Sequence, residues 1–325
     1  MQRGFAPVCG ICQDSSQTVD NEQFSDQARR YLDSADGGAG GTMKLVTFVV
    51  GGKTTWGAVV DGGVVDLGAK LPAYADVRSL IAADAMGKAK AASAGAKADY
   101  ALDAITLLAP ITNPDKIICV GLNYDEHVRE TKREKTEDPA LFVRFANSQL
   151  GHNQPMLIPL ESEKLDYEGE IAVVIGKGGR RISEEDAYAH VAGYSCYNDG
   201  SIRDLQWATT QWTTGKNFPA TGAFGPWLVT VDELPANTKL TLITRLNGKE
   251  MQRATTDMMV HSIPRLIAFI SRFTELVPGD VIVTGTPGGV GARKTPPLFM
   301  KDGDVCEIEV EGVGVLSNPI KAERV

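Results

Sequence analysis

A chain of 325 residues, 43% hydrophobic and 23% charged, can bury a core of its own without disulfide staples. Its formal net charge of −8, with no basic stripe, argues against nucleic acid as a partner, and no apolar run approaches the length of a membrane span. An acidic protein that handles anionic substrates needs a local source of positive charge, which a bound cation supplies.

Residues 1–42 are polar, end in a Gly-rich stretch from Asp36 to Gly41, and show no sustained periodicity, which predicts a disordered tail. Cys9 and Cys12 form a lone CxxC within it, and no second pair or nearby His completes a zinc site. The five cysteines (Cys9, Cys12, Cys119, Cys196 and Cys306) form an odd, sparse set that fits a reducing cytoplasm. The start of the chain lacks the basic and apolar regions of a signal peptide, and its acids argue against a transit peptide.

Residues 43–110 read as a small N-terminal domain. Met43, itself a candidate translation start, opens KLVTFVV. A Gly51-Gly52 turn, TWGAVV, an Asp61-Gly62-Gly63 turn and VVDL then complete a β-meander. The Ala-rich stretch 76–104 predicts helix. Residues 111–325 read as the catalytic domain. There KIICVG, EIAVVIG, HVAGYSCYN, LTLITRLNG, DVIVTG and CEIEVEGVGVL are predicted strands, and 262–274 has helical apolar spacing. Strands and helices do not alternate regularly, so the fold class is α+β, mostly β.

Chemistry concentrates in LDYEGEIAVVIGKGG. Glu168 and Glu170 stand two apart at the head of a strand, on one face. Like carboxylates side by side repel, and a hard cation resolves that conflict. Asp199, ending the strand GYSCYND, is a natural third ligand. Three carboxylates without Cys or His favour Mg²⁺ or Mn²⁺ over Zn²⁺. The alternative is a pair of acids facing solvent on an edge strand.

In GLNYDEHVRE, His127 and Glu130 share a helix face, and the carboxylate would fix the tautomer of a general base. A surface i,i+3 pair is the competing reading. His190 and His261 read as structural and His152 as a residue of a pocket rim. VIVTGTPGGVGARKTPP resembles a dinucleotide fingerprint but runs into Lys294 and two prolines instead of a helix. A nest of backbone N–H groups with the Thr286 hydroxyl, holding a substrate carboxylate, fits it better, beside the alternative of a plain glycine turn. Lys216, among small and aromatic residues, could stabilise an oxyanion or simply lie on the surface.

Taken in order, VGLNYDEHVRE, DYEGEIAVVIGKGGRRI, AGYSCYNDGSIRDLQ, GKNFPATGAFGPW, LNGKEMQ and PGDVIVTGTPGGVG resemble the fumarylacetoacetate hydrolase family over residues 113–320. The resemblance implies a mixed body of layered and rolled β-sheets, usually dimeric. It implies metal ligation by Glu168, Glu170 and Asp199, and a His127–Glu130 dyad on a lid. Gln206, Lys216 and Thr286 match substrate-contacting positions. Arg203 falls in an R-D-x-Q stretch where a structural role is equally compatible. The namesake's fourth carboxylate ligand is missing, since that region reads Cys119-Val120-Gly121. The chain thus looks like the three-carboxylate branch of acylpyruvate hydrolases, oxaloacetate decarboxylases, tautomerases and isomerases of aromatic catabolism. The expected reaction is hydrolytic C–C cleavage of a small 1,3-diketo acid, with His127 activating water and Lys216 stabilising the oxyanion. Decarboxylation or isomerisation of a 2-keto diacid is the alternative, and a non-catalytic diacid or metal binder is the reading from another class.

Overall fold

The structure is a computed structural model describing residues 43–132, 135–235 and 237–324. The expected tail and its Cys9–Cys12 pair lie outside the described residues.

Two glycine turns join β1 (Lys44–Val50), β2 (Lys53–Val60) and β3 (Gly63–Asp66) into the expected meander. The Ala-rich stretch does not form one helix. It gives α1 (Val77–Ala82), capped reciprocally by Asp76 and Ser79, and α2 (Met86–Ser93). Asp84 and Gly95 take positive φ values of 50° and 65° after the two helices. A left-handed residue ends a helix whatever the propensity of the alanines around it.

The rest of the chain supplies β4 (Ile117–Gly121), α3 (Asp125–Thr131), β5 (Ala140–Arg144), β6 (Met156–Ile158), β7 (Gly169–Ile175) and β8 (Val191–Asp199). Two single-turn helices follow, α4 (Arg203–Gln206) and α5 (Thr213–Lys216), then β9 (Gly222–Thr230), β10 (Thr241–Leu246) and β11 (Lys249–Thr255). Next comes α6 (Ile263–Phe273), close to the predicted span, capped by Ser262 and with Pro264 in its first turn. β12 (Val281–Val283), β13 (Val305–Val310) and β14 (Gly314–Ala322) complete the set.

These strands form an α+β protein, mostly β, built on mixed sheets. The larger sheet runs β3-β2-β1-β9-β8-β7-β12-β4-β5, with Tyr100–Ala101 added beyond β3. A five-stranded sheet runs β11-β10-β13-β14-β6. Residues 43–110 join the larger sheet directly, because β1 pairs antiparallel with β9, Leu45 opposite Leu228.

Past β5 the chain turns back, and Gln149–Leu150 pair with β9 at Gly222 and Ala223. Five strand spacings separate β5 from β9, about 24 Å in a flat sheet. The sheet must therefore roll for that pairing to form.

β7 lies at the centre and is buried throughout. Ile171, Val173 and Ile175 enter the core shared with the five-stranded sheet, beside Leu242, Ile308 and Leu316. Ala172 and Val174 face the opposite core, with Val281, Val283, Tyr197 and Leu80 of α1. A strand packed on both faces needs an unbroken apolar run, which is why EIAVVIG does not alternate. No helix among the described residues is long and apolar enough to cross a membrane.

Gly169, between the two glutamates, sets the distance between the sheets. A Cβ there would stand 2.0 Å from the Thr244 hydroxyl oxygen on β10. Gly169→Ala should cost about 1–3 kcal/mol by overpacking. Thr244→Ala in the same chain should restore part of that loss, read by urea denaturation as a double-mutant cycle. Purely additive effects would exclude the contact as the cause.

Candidate metal centre and active-site cleft

The site grows from one register. Gly169 pairs with Asn198 and Glu170 with Tyr197, and the Asp199 N–H donates to the Glu168 carbonyl at 2.9 Å. Glu168 therefore faces Asp199 across the ladder, and Glu170 follows on the same face. Carboxylate oxygens of all three lie within 4.8 Å of one another. Their exposures are 5%, 1% and 0%, and β7 is flanked by β8 and β12, so the solvent-facing edge reading is excluded.

Cations from other elements close around these acids. Lys216, the last residue of α5, donates from Nζ to Glu168 at 2.7 Å and to Asp199 at 2.6 Å. Arg144, at the end of β5, pairs with Asp199 at 2.5 Å and donates to the Thr221 hydroxyl at 2.7 Å. Arg203 pairs with Glu168 at 2.6 Å and Asp166 at 2.8 Å. All of these residues are buried.

The electrostatics differ from acid to acid. Burial pushes the Glu168 carboxyl up, but Lys216 and Arg203 outweigh it and hold the group well below the usual carboxylate range. Burial pulls the Lys216 ammonium down, and Asp199 and Glu168 more than reverse that. Glu170 goes the other way. Burial, then the charges of Asp199 and Glu168, push its carboxyl well above the ordinary range. It accepts a hydrogen bond from the Gly285 N–H and forms no salt bridge among the described residues. Four carboxylates thus face three cations. With Glu170 ionised, as a bound cation would favour, one negative charge is left over there. A divalent cation held by Glu168, Glu170 and Asp199 would neutralise it and leave net positive charge for an anionic ligand. The donor set, all oxygen, suits a hard cation.

His127 is 7% exposed on α3, its Nδ1 3.3 Å from Glu130 Oε2. The Glu130 carboxylate also accepts from the Gly289 N–H at 3.2 Å, tying α3 to the Gly-rich loop. That loop departs from the expected nest. The Gly285 N–H binds Glu170, the Gly289 N–H binds Glu130, and the Gly291 and Ala292 N–H groups bind Asp166, each of the latter two at 2.9 Å. Its donors hold the protein's own acids, two of which, Glu170 and Asp166, are buried and need partners.

His127, Glu168, Glu170, Arg203, Gln206, Lys216 and Thr286 line one cleft. Glu130 and Asp199 meet it through His127 and Lys216. Gln206 accepts from Arg203 at 2.9 Å, and the Thr286 hydroxyl accepts from Gln252 at 2.8 Å. His152 is not at the rim: its Nδ1 accepts from the Ser317 N–H at 3.1 Å.

Two members of the network were not singled out from sequence. Asp166 continues the period-two spacing of Glu168 and Glu170, a visible signal, yet it turns to Arg203 and the Gly-rich loop. Arg144 is a cation inside the apolar run LFVRF, and nothing local points it at Asp199, 55 residues on.

Residues 116–321, more than half of the chain, match the family described as fumarylacetoacetate (FAA) hydrolase, C-terminal. The chain belongs to the fumarylacetoacetate hydrolase family. Among curated relatives it is 46% identical over 218 residues to a mitochondrial oxaloacetate tautomerase of Xenopus laevis, covering 66% of this chain and 68% of the relative. The fold is similar to fumarylacetoacetate hydrolase from Exiguobacterium antarcticum, with a TM-score of 0.73 and 34% identity over 87% of this chain and 100% of the other. It is also similar to maleylpyruvate hydrolase from Sphingobium sp. SYK-6 in complex with manganese(II) and pyruvate, with a TM-score of 0.73 and 27% identity over the same shares. Within this family the chain presents a triad of acids, and Cys119 is a poor substitute for a fourth. Its thiol is pushed well up by burial, then by the charges of Asp199 and Glu170.

Cation binding should be visible without turnover. At about 100 times its Kd, Mg²⁺ or Mn²⁺ stabilises the fold by about 2.7 kcal/mol. Thermal melts with and without chelator should show this in the wild type and not in Glu170→Gln. An equal shift in both would exclude the triad as the binding site.

Proposed function

We propose that this chain is a Mg²⁺- or Mn²⁺-dependent keto–enol tautomerase of an oxaloacetate-type 2-keto acid. The observation that carries this reading is the His127–Glu130 pair set at the same cleft as the acid triad. The Lys216 ammonium is held between Glu168 and Asp199. Hydrolysis of a C–C bond needs a donor for a developing oxyanion, the role assigned to Lys216 from sequence, whereas tautomerisation needs only a placed base. The 46% identity to an oxaloacetate tautomerase supports the same choice.

Glu168, Glu170 and Asp199 would hold the cation, which when bound supplies Lewis acidity and a template for a 2-keto acid. Glu130 occupies the Nδ1 side of His127, leaving Nε2 for the substrate. His127 removes a proton from the carbon beside the keto group and returns one to the oxygen, so the reaction is balanced without water. Glu130, anchored by Gly289, positions the ring and fixes its tautomer. Gln206 and Thr286, both lining the cleft, supply polar contacts to the bound acid.

Hydrolysis of an acylpyruvate-type acid is the second reading, favoured by likeness to a maleylpyruvate hydrolase. It would use Lys216, which lines the cleft and has three N–H donors, as the oxyanion donor.

Enol decay of oxaloacetate, followed by ultraviolet absorbance, should be accelerated by the Mg²⁺- or Mn²⁺-loaded wild type. His127→Ala should lose about 10²–10⁴ of the rate while keeping the cation-induced melting shift. Undiminished rate in that variant would remove His127 from the mechanism. Pyruvate and acetate released from acetylpyruvate, with no effect on enol decay, would replace the tautomerase with the hydrolase.

A further inference from the structure

The cleft contains a third cation that the proposed chemistry does not use. Arg203 and Lys216 are each engaged by buried carboxylates. Arg293 also lines the cleft, is exposed, and its guanidinium has no hydrogen bond or ion pair among the described residues. It lies over the indole of Trp207, 5.4 Å from the ring centroid. Trp207 is itself 47% exposed and lines the same cleft. An arginine stacked in this way keeps its planar edge available for a carboxylate.

Its placement is built rather than incidental. Arg293 ends the single 3₁₀ turn Gly291–Arg293. The Gly291 and Ala292 N–H groups are both held by Asp166, the carboxylate that also binds Arg203. A Cβ at Gly291 would stand 1.9 Å from the Leu298 carbonyl, so the turn packs too closely for any side chain there. The base of Arg293 is thereby coupled to the floor of the cleft.

We infer that Arg293, stacked on Trp207 at the mouth of the cleft, selects substrates that carry a second carboxylate at the end remote from the keto acid. This rests on the reading of the chain as a 2-keto acid enzyme. The acid triad and its cation take the keto-acid end. A distal carboxylate that enters the cleft loses water and needs a donor, and Arg293 is the cleft cation left to supply one. A substrate ending in a methyl or other small apolar group gains nothing from it.

The test is a matched pair of ligands. Oxaloacetate and 2-oxobutyrate share the keto-acid end, and a methyl in the second replaces the distal carboxylate of the first. Binding of each to the full-length, Mg²⁺-loaded protein is measured by calorimetry. The wild type should prefer oxaloacetate by about tenfold or more, the value of one charge-assisted pair. Arg293→Gln should abolish the preference and leave 2-oxobutyrate binding unchanged. Arg293→Lys, which keeps the charge but not the fork, should retain part of it.

A preference that survives in Arg293→Gln overturns the inference, as does an equal loss of affinity for both acids or a wild type that does not discriminate. Binding with the expected preference but no tautomerisation would sink the proposed reaction and leave Arg293 in its role. Failure of both acids to bind would sink the two together.

Discussion

The structure depends on a buried conflict of charge. Glu168 and Asp199 face each other across a ladder in the middle of a sheet, and Glu170 stands one pleat away. Like charges so placed oppose folding. Four neighbouring elements answer that repulsion. β5 brings Arg144, α4 brings Arg203, α5 brings Lys216, and the Gly-rich loop turns its N–H groups inward. Rolling of the large sheet has a chemical counterpart here. Arg144 lies four strands from Asp199 along the sheet order, and only a curled sheet lets their side chains touch.

The same arrangement sets a densely hydrogen-bonded floor beneath an open cleft. Glu168, Asp199 and Lys216 are each held by at least two short polar contacts. His127 and Arg293, by contrast, come from a short helix and a single turn, each secured at its base by the Gly-rich loop or by Asp166. On the proposed reading, cation binding, proton transfer and substrate choice would fall to successive layers: interior strands, then a helix, then the rim.

Much of this was legible in the chain. The E-x-E spacing before an apolar run, the i,i+3 pair of His127 and Glu130, and the aspartate ending GYSCYND all name residues that meet in one site. They are legible because strand and helix periods are local properties that a sequence displays directly. The Ala-rich stretch misled for a related reason: helix propensity is also local, but its breaks at Asp84 and Gly95 are set by left-handed backbone positions that composition does not reveal.

Other features required the tertiary structure. Sequence could not tell an interior β7 from an exposed edge strand, because that depends on which strands flank it. It suggested Lys216 for an oxyanion, and only packing showed its ammonium lodged between Glu168 and Asp199. It suggested a nest for a ligand carboxylate, and folding gave those N–H groups to Asp166, Glu130 and Glu170 instead. Residue types and spacings determined the chemistry the chain could carry: oxygen ligands for a hard cation, and a histidine with its carboxylate. Which charges pair, and which one is left facing the cleft, was decided by contacts between residues far apart in sequence, whose strengths depend on burial that no local pattern encodes.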